Sequence, residues 1–180
     1  HLGELSGILF FLLGAMTIVE LIDAHDGFNV ITDHINQKNK KKLLWIIGFI
    51  TFFLSAILDN LTTTIVMISL LRKLINDKND RLFFAGIIVI AANAGGAWSP
   101  IGDVTTTMLW IGEQITTVNI IVKLILPSLI AIIIPLIFIS FKMKGTVESV
   151  PANSLSEKPL PVYQQKIVLF SGIIILMLVP

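Results

Sequence analysis

Long apolar runs separated by short polar segments dominate this chain of 180 residues. A helix rises about 1.5 Å per residue and the hydrocarbon core of a bilayer is roughly 30 Å thick, so a simple span needs about 20 apolar residues. The runs 1–22 and 120–141 have about this length, and each is predicted to form one transmembrane helix. The runs 43–71 and 82–112 are longer, and each contains a single charged residue, an aspartate.

The run 43–71 divides into an arm of 16 residues before Asp59 and one of 11 residues after Asn60. Each arm is too short to cross a bilayer comfortably. Four lysines precede the run and four basic residues follow it, so the positive-inside rule places both flanks on the cytoplasmic side. We therefore expect a re-entrant helical hairpin with the sequence DNLTTT near its tip. The alternative is one tilted helix of 29 residues with a buried aspartate.

The run 82–112 contains the sequence ANAGGAWSPIGD in its middle. Pro100 removes a backbone donor and the glycines favour irregular backbone, so the helix is predicted to break here and to resume around Val104. This run is therefore interpreted as a broken transmembrane helix. The connector GEQITTVN that follows has no Lys or Arg, which suits the external side.

Three other segments complete the predicted organisation. Residues 23–42 are expected to form an interfacial or cytoplasmic segment, and residues 142–166, rich in Pro, Ser and Lys, a cytoplasmic linker. Residues 167–180 read as the start of a further transmembrane helix. Because the chain begins with His rather than Met and stops inside an apolar run, we interpret it as an internal fragment.

Composition supports a membrane protein whose main partner is the lipid bilayer. The chain is 54% hydrophobic and 14% charged, with a mean hydropathy of +0.88. A net charge of +1 argues against a nucleic-acid partner. The lack of cysteine excludes disulfides and thiolate metal sites.

The two intramembrane aspartates are the main candidates for functional residues. An ionisable group inside a membrane costs about 2.5–3.5 kcal/mol on insertion scales, which makes it a functional-site hypothesis by default. Each aspartate lies at a predicted helix break, the feature with which many secondary transporters expose backbone groups to a coupling ion. Hydroxyl, amide and carboxylate oxygens suit hard cations. We therefore predict a small alkali cation held by Asp59, Asn60 and Thr62 to Thr64 facing Asn93, Asp103 and Thr105 to Thr107.

Such a site predicts antiport rather than enzymatic catalysis. A carboxylate that must lose its proton to hold sodium, and lose sodium to regain its proton, couples the two gradients in opposite directions. Sodium and the proton are then transported species, and no cofactor is expected. The threonines and glycines near the aspartates also have simpler structural interpretations. A threonine in a membrane helix commonly hydrogen-bonds the carbonyl one turn back, and Gly95 and Gly96 would also permit close helix packing.

Three stretches carry a resemblance to a known family: FFLLGAMTIVELIDAHDGF, SAILDNLTTTIVM and NAGGAWSPIGDVTTTMLW. They are similar to NhaD-type sodium/proton antiporters of the ion transporter superfamily. The resemblance implies an all-α membrane protein with a fold like the divalent anion/sodium symporters, built from two inverted repeats that each contain a re-entrant hairpin and a broken helix. This chain would be the first inverted repeat, the linker and the start of the second repeat.

The same resemblance implies which residues bind or move the ion. By position these are Ser55, Asp59, Asn60, Asn93, Asp103, Thr105 and Thr106, with Asp59 and Asp103 as the sodium ligands; Thr62 and Thr63 are added from the hairpin geometry. The resemblance also implies a homodimer with an elevator-like movement. The expected cation is sodium or lithium, and the expected location is the cell inner membrane, multi-pass, with a plastid envelope as the alternative. Without the second repeat the ion site is incomplete, so the fragment alone should not transport.

Other functions stay open at this point. A sodium-coupled dicarboxylate symporter or an arsenite exporter of the same superfamily is the first alternative, although the acid at position 59 would repel an anionic substrate. An intramembrane aspartyl protease would also use two aspartates, but Pro100 interrupts its Gly-x-Gly-Asp motif. A non-transporting membrane subunit would leave both acids without a role.

Overall fold

The computed structural model describes residues 37–148 and 161–178, together with single positions between 6 and 35. The described residues are helical with no β-strand, so the all-α prediction is confirmed for them. The helices with defined bounds are α1 (Lys40–Ser55), α2 (Asn60–Leu74), α3 (Lys78–Ala97), α4 (Val104–Ile111), α5 (Thr117–Lys142) and α6 (Val162–Leu178).

The chain divides into two compact units, His1–Ile35 with Ser156–Pro180, and Asn36–Leu155. In the first unit, α6 lies against Ile22, which is buried; a Cβ at Gly172 would overlap the Ile22 side chain. Most of the predicted span 1–22 lies outside the described residues. Helix α6 begins five residues before the predicted start at 167, because the carbonyl of Pro161 accepts the N–H of Gln164 and starts the helix in a polar stretch.

In the second unit, two helices occupy the run 43–71, so the alternative of one long helix is wrong. Helix α1 begins before the apolar run because the Asn39 side chain caps it, accepting the N–H groups of Lys41 and Lys42 at 3.0 and 3.2 Å. It ends at Ser55, and residues 56–59 form a turn before α2. We call residues 56–59 the first break.

Helix α3 packs against α1, α2 and α5, and α1 also contacts both α2 and α5. It ends at Ala97, and α4 begins at Val104. We call residues 98–103 the second break. That α3 and α4 together form one broken transmembrane helix stays a prediction.

One end of the second unit carries most of its basic residues, and we call it the basic end. The Nζ of Lys40 at the start of α1 lies 2.7 Å from the Oδ2 of Asp80 in the first turn of α3. Residues 143–148, assigned from sequence to the linker 142–166, also lie here. The N–H of Lys40 donates to the carbonyl of Gly145 at 3.2 Å, and the N–H of Asn76 donates to that of Glu148 at 2.9 Å. This part of the linker is therefore packed against the helices.

Among the described residues, two helices are long and apolar enough to cross a membrane, α3 with 20 residues and α5 with 26. Helix α5 contains the predicted span 120–141 and includes Pro127 and Pro135. Helix-interior prolines are tolerated in transmembrane helices, where neighbouring groups satisfy the freed carbonyls.

Candidate functional site

Two buried serines, Ser55 at the end of α1 and Ser99 in the second break, hydrogen-bond the segments around the two breaks to each other. The Ser55 hydroxyl donates to the carbonyl of Ala92 in α3 at 2.6 Å. In the opposite direction, the Ser99 hydroxyl donates to the carbonyl of Ala56 at 2.6 Å. The bond to Ala56 satisfies a carbonyl that the end of α1 leaves free, and the two bonds fix the first break against α3 and the second break.

Two glycines near the end of α3 make this approach possible. A Cβ at Gly95 would overlap the carbonyl oxygen of Phe52, and one at Gly96 would overlap that of Gly102. Both glycines are helical, so the prediction that they form irregular backbone is wrong for them. They serve close helix packing, while Gly102 lies in the second break.

Asp59 caps helix α2. Its Oδ1 accepts the backbone N–H of Thr62 at 2.8 Å, and its Oδ2 accepts the Thr62 hydroxyl at 2.6 Å. These bonds satisfy a free donor at the helix start, where the helix dipole also favours negative charge. Thr62 is therefore bonded to the Asp59 carboxylate within one helix, and its predicted role in cation binding stays a prediction.

Asp103 caps helix α4 and also reaches the first break. Its Oδ1 accepts the N–H of Thr105 at 2.8 Å, and its Oδ2 accepts the Asn60 side-chain amide at 2.6 Å. The same Asn60 nitrogen donates to the Oδ1 of Asn93 in α3 at 3.1 Å. Asn60, Asn93 and Asp103, three of the predicted site residues, are thus brought together from three helices.

Most of the threonine hydroxyls bond within their own helix. Those of Thr106 and Thr107 both donate to the carbonyl of Asp103 at 2.9 Å, and that of Thr64 donates to the carbonyl of Asn60 at 2.7 Å. Thr105 contacts the Asp103 carboxylate through its backbone rather than its hydroxyl. These residues stabilise the helix starts that position the carboxylates.

Thr63 differs from the other threonines. Its side chain is fully buried, and its hydroxyl has no hydrogen-bond partner among the described residues. A buried hydroxyl without a partner carries an unmet desolvation cost. Trp98 at the second break has a similarly unpartnered Nε1–H, while its ring stacks on Phe52 with centroids 6.0 Å apart.

Sequence reasoning missed two contributors, Ser99 and Phe52. Ser99 stands in the sequence WSP beside Pro100, and a hydroxyl in a predicted helix break was the available signal. Phe52 gave no signal, because it is one apolar residue in an apolar run whose carbonyl happens to face Gly95.

The two carboxylates at the breaks keep acceptor positions that the contacts above do not use. Among the described residues there is no group of three or more His, Cys, Asp or Glu side chains, the arrangement typical of a tightly held metal. A carboxylate offers about four acceptor positions, and Asp59 and Asp103 each use two in the contacts above. Acceptor capacity remains on both for a cation or a proton.

Known proteins resemble this chain over most of its length. Residues 3–180 match the family model described as citrate transporter. The chain is 52% identical over 180 residues to sodium/proton antiporter 1 of Arabidopsis thaliana, covering 99% of this chain and 31% of that protein. It is 59% identical over 138 residues to sodium/proton antiporter 2 of the same plant, covering 77% and 33%. Over 160 residues it is 37% identical to Na(+)/H(+) antiporter NhaD of Vibrio parahaemolyticus, covering 87% and 37%.

These matches confirm the resemblance to NhaD-type antiporters that was drawn from the motifs. The chain spans about a third of the length of these curated relatives. No solved structure matches it.

Proposed function

The chain belongs to the citrate transporter family, and we propose that it supplies part of a multi-pass membrane carrier that exchanges sodium or lithium for protons. Relatives at 52% and 37% identity are named sodium/proton antiporters, which supports this exchange over other transport reactions. Because the chain covers about a third of those relatives, the activity proposed is that of the full-length protein.

The observation that carries the proposal is the bridge from Asn60 to Asp103. It joins the start of α2 to the start of α4 at 2.6 Å and includes Asn93. The two carboxylates and the neighbouring amides form a set of hard oxygen donors at adjacent helix breaks. The Thr63 hydroxyl, which is buried and has no partner among the described residues, is nearby in sequence. In the proposed cycle a cation and a proton compete for Asp59 and Asp103.

We also propose that α1 and α2 form the re-entrant hairpin. In support, α1 begins at the basic end, where Lys40 pairs with Asp80, and α2 ends there through its short connection to α3. The two helices meet at the first break. Asn93 lies 11 residues after Leu82, where the apolar part of α3 begins. This is roughly 16 Å at 1.5 Å per residue, so the candidate site would lie near the middle of a hydrocarbon core about 30 Å thick.

Large apolar side chains remain exposed on the helices of this unit, and we propose that lipid or the rest of the carrier covers them. Examples are Leu61 and Ile65 on α2 and Leu126 and Phe138 on α5, between 54% and 64% exposed. The second inverted repeat, a homodimer with elevator-like movement, and a location in a bacterial inner membrane or a plastid envelope complete the proposal.

The test uses the full-length protein in everted membrane vesicles with a preset pH gradient. We expect sodium or lithium to collapse the gradient and potassium to leave it intact. If neither sodium nor lithium changes the gradient at an expression level confirmed by immunoblotting, the antiport proposal fails.

The family description favours one second candidate, uptake of citrate or another carboxylate coupled to sodium. The acid at Asp59 opposes it, because a carboxylate at the tip of the hairpin would repel an anionic substrate. Sodium-dependent uptake of radiolabelled citrate into the same vesicles, without collapse of the pH gradient, would replace antiport with this symport.

A further inference from the structure

A cavity of about 390 Å³ lies where α2 ends and α3 begins, at the basic end and away from the two breaks. Its walls combine two kinds of side chain. Basic groups come from Arg72, Lys78 and Arg81, and apolar groups from Ile68, Leu71, Leu82 and Ala85.

The basic groups of this cavity are not neutralised by acids. Within the described ranges, neither Arg72 nor Lys78 nor Arg81 forms a salt bridge; Arg81 donates instead to the carbonyl of Ile75 at 3.2 Å. The acid in the first turn of α3, Asp80, is already paired with Lys40. The three basic groups therefore lie beside apolar walls with no described acid at salt-bridge distance, and the nearby Asp77 carboxylate caps α3 through the N–H of Asp80.

This combination identifies the class of ligand. A free anion would need only the charges, whereas an anionic amphiphile uses both the charges and the apolar surface. Leu82, 62% exposed, continues the apolar wall onto the outer face of α3, where an acyl chain would lie. Clusters of basic residues at the end of transmembrane helices attract anionic headgroups. We propose that this cavity binds the phosphate headgroup of an anionic glycerophospholipid, with an acyl chain along Leu82 and Ala85.

A second cavity at the same end is smaller and contains an acid. It measures about 170 Å³ and is lined by Asp80 as well as by three lysines. Lys40 is paired with Asp80, Lys142 lies 5.0 Å from the centroid of the Phe138 ring, and Lys144 is exposed. Lys41 and Lys42, exposed in the first turn of α1, line neither cavity. They provide a control for a change of charge at the same end.

Native mass spectrometry of the detergent-purified full-length protein tests the proposal. The probes are dioleoyl phosphatidylglycerol, dioleoyl phosphatidylcholine and soluble glycerol 3-phosphate. We expect the protein to retain phosphatidylglycerol preferentially. The double variant Arg72→Gln/Lys78→Gln should weaken retention roughly 30-fold, while Lys41→Gln/Lys42→Gln should leave it at the wild-type level. Ala85→Phe, which fills the apolar wall without changing charge, should also weaken it.

Several results would overturn this assignment. If phosphatidylcholine is retained as well as phosphatidylglycerol, the cavity does not select an anionic headgroup. If glycerol 3-phosphate competes as well as the lipid, the cavity is a phosphate site and not a lipid site. Unchanged phosphatidylglycerol retention in Ala85→Phe would remove the acyl-chain contact. A change of oligomeric state in Arg72→Gln/Lys78→Gln, with phosphatidylglycerol retention unchanged, would assign the cavity to a second copy of the chain.

Discussion

The two helix breaks look alike in sequence and differ in how their carboxylates are held. Asp59 and Asp103 both cap a helix that begins with three threonines within its first turns. Among the described residues, the carboxylate of Asp59 is bonded only to Thr62 of its own helix, whereas that of Asp103 also accepts the side-chain amide of Asn60 at the start of α2. The same local motif therefore produces two different carboxylates. The hydrogen bonds of Asp59 come from its own helix, whereas one hydrogen bond of Asp103 depends on how the two breaks pack.

This difference bears on the proposed exchange. A change in the relative position of the breaks would alter the surroundings of Asp103 directly, because one of its partners would move. The bonds of Asp59 to Thr62 would survive such a movement. We therefore infer that the hydrogen bonds of the Asp103 carboxylate depend on the packing of the breaks, whereas those of Asp59 depend on α2 alone.

The largest effect is expected from removing either charge while keeping its cap. Asparagine caps helices about as well as aspartate, so Asp59→Asn and Asp103→Asn should fold normally and lose the sodium-induced collapse of the pH gradient. Asp77→Asn is the matched control, since Asp77 caps α3 by accepting the N–H of Asp80 at 2.8 Å. Exchange at the wild-type rate in either of the first two variants would remove that carboxylate from the site.

Next in size is the cost of separating the two breaks. Gly95→Ala places a Cβ against the carbonyl of Phe52, whereas Gly86→Ala in the same helix meets open space. Overpacking of this kind costs typically 1–3 kcal/mol. We expect a lower unfolding temperature for detergent-solubilised Gly95→Ala and none of this loss for Gly86→Ala. Equal unfolding temperatures for the two variants would show that the breaks do not pack as described.

A smaller effect is expected from the bridge itself. Asn60→Ala removes the amide that joins Asp103 to Asn93. Because a hydrogen bond to a charged group contributes about 1.5–3 kcal/mol, the sodium concentration for half-maximal exchange should rise roughly tenfold or more. Asn119→Ala, an exposed position near the start of α5, is the control. An unchanged sodium dependence in Asn60→Ala would show that the bridge to Asp103 does not affect the proposed sodium binding.

The smallest effects are expected from removing single hydroxyl groups, and they compare bonds between the helix-break segments with bonds within one helix. Ser55→Ala removes the bond to the Ala92 carbonyl, and Ser99→Ala removes the bond to the Ala56 carbonyl. Each change should lower the free energy of unfolding by about 1 kcal/mol. Thr64→Val removes a hydroxyl bond to the carbonyl of its own helix and should stay within about 0.5 kcal/mol. Thermal unfolding in one detergent compares all three. A larger loss for Thr64→Val than for the serine variants would contradict this ranking.

The hydrophobic pattern was sufficient for some of these features. It predicted helices with an interruption at each aspartate, because a charged residue inside an apolar run and a Pro-Gly segment are local signals. It placed the start of α4 at Val104, where the structure has it. It was less accurate at the starts of α1 and α6, which lie in polar residues and depend on the cap at Asn39 and the carbonyl of Pro161.

The residue types at the breaks could be read from the chain alone, since a charge is costly in an apolar run wherever the chain folds. How these residues are used depends on the packing of the helices. Gly95 is a packing contact rather than a turn, and Asn60 is the bridge to Asp103. The physical reason is that hydrogen bonds and close contacts between residues about 40 positions apart depend on how helices pack, and no local pattern along the chain records that.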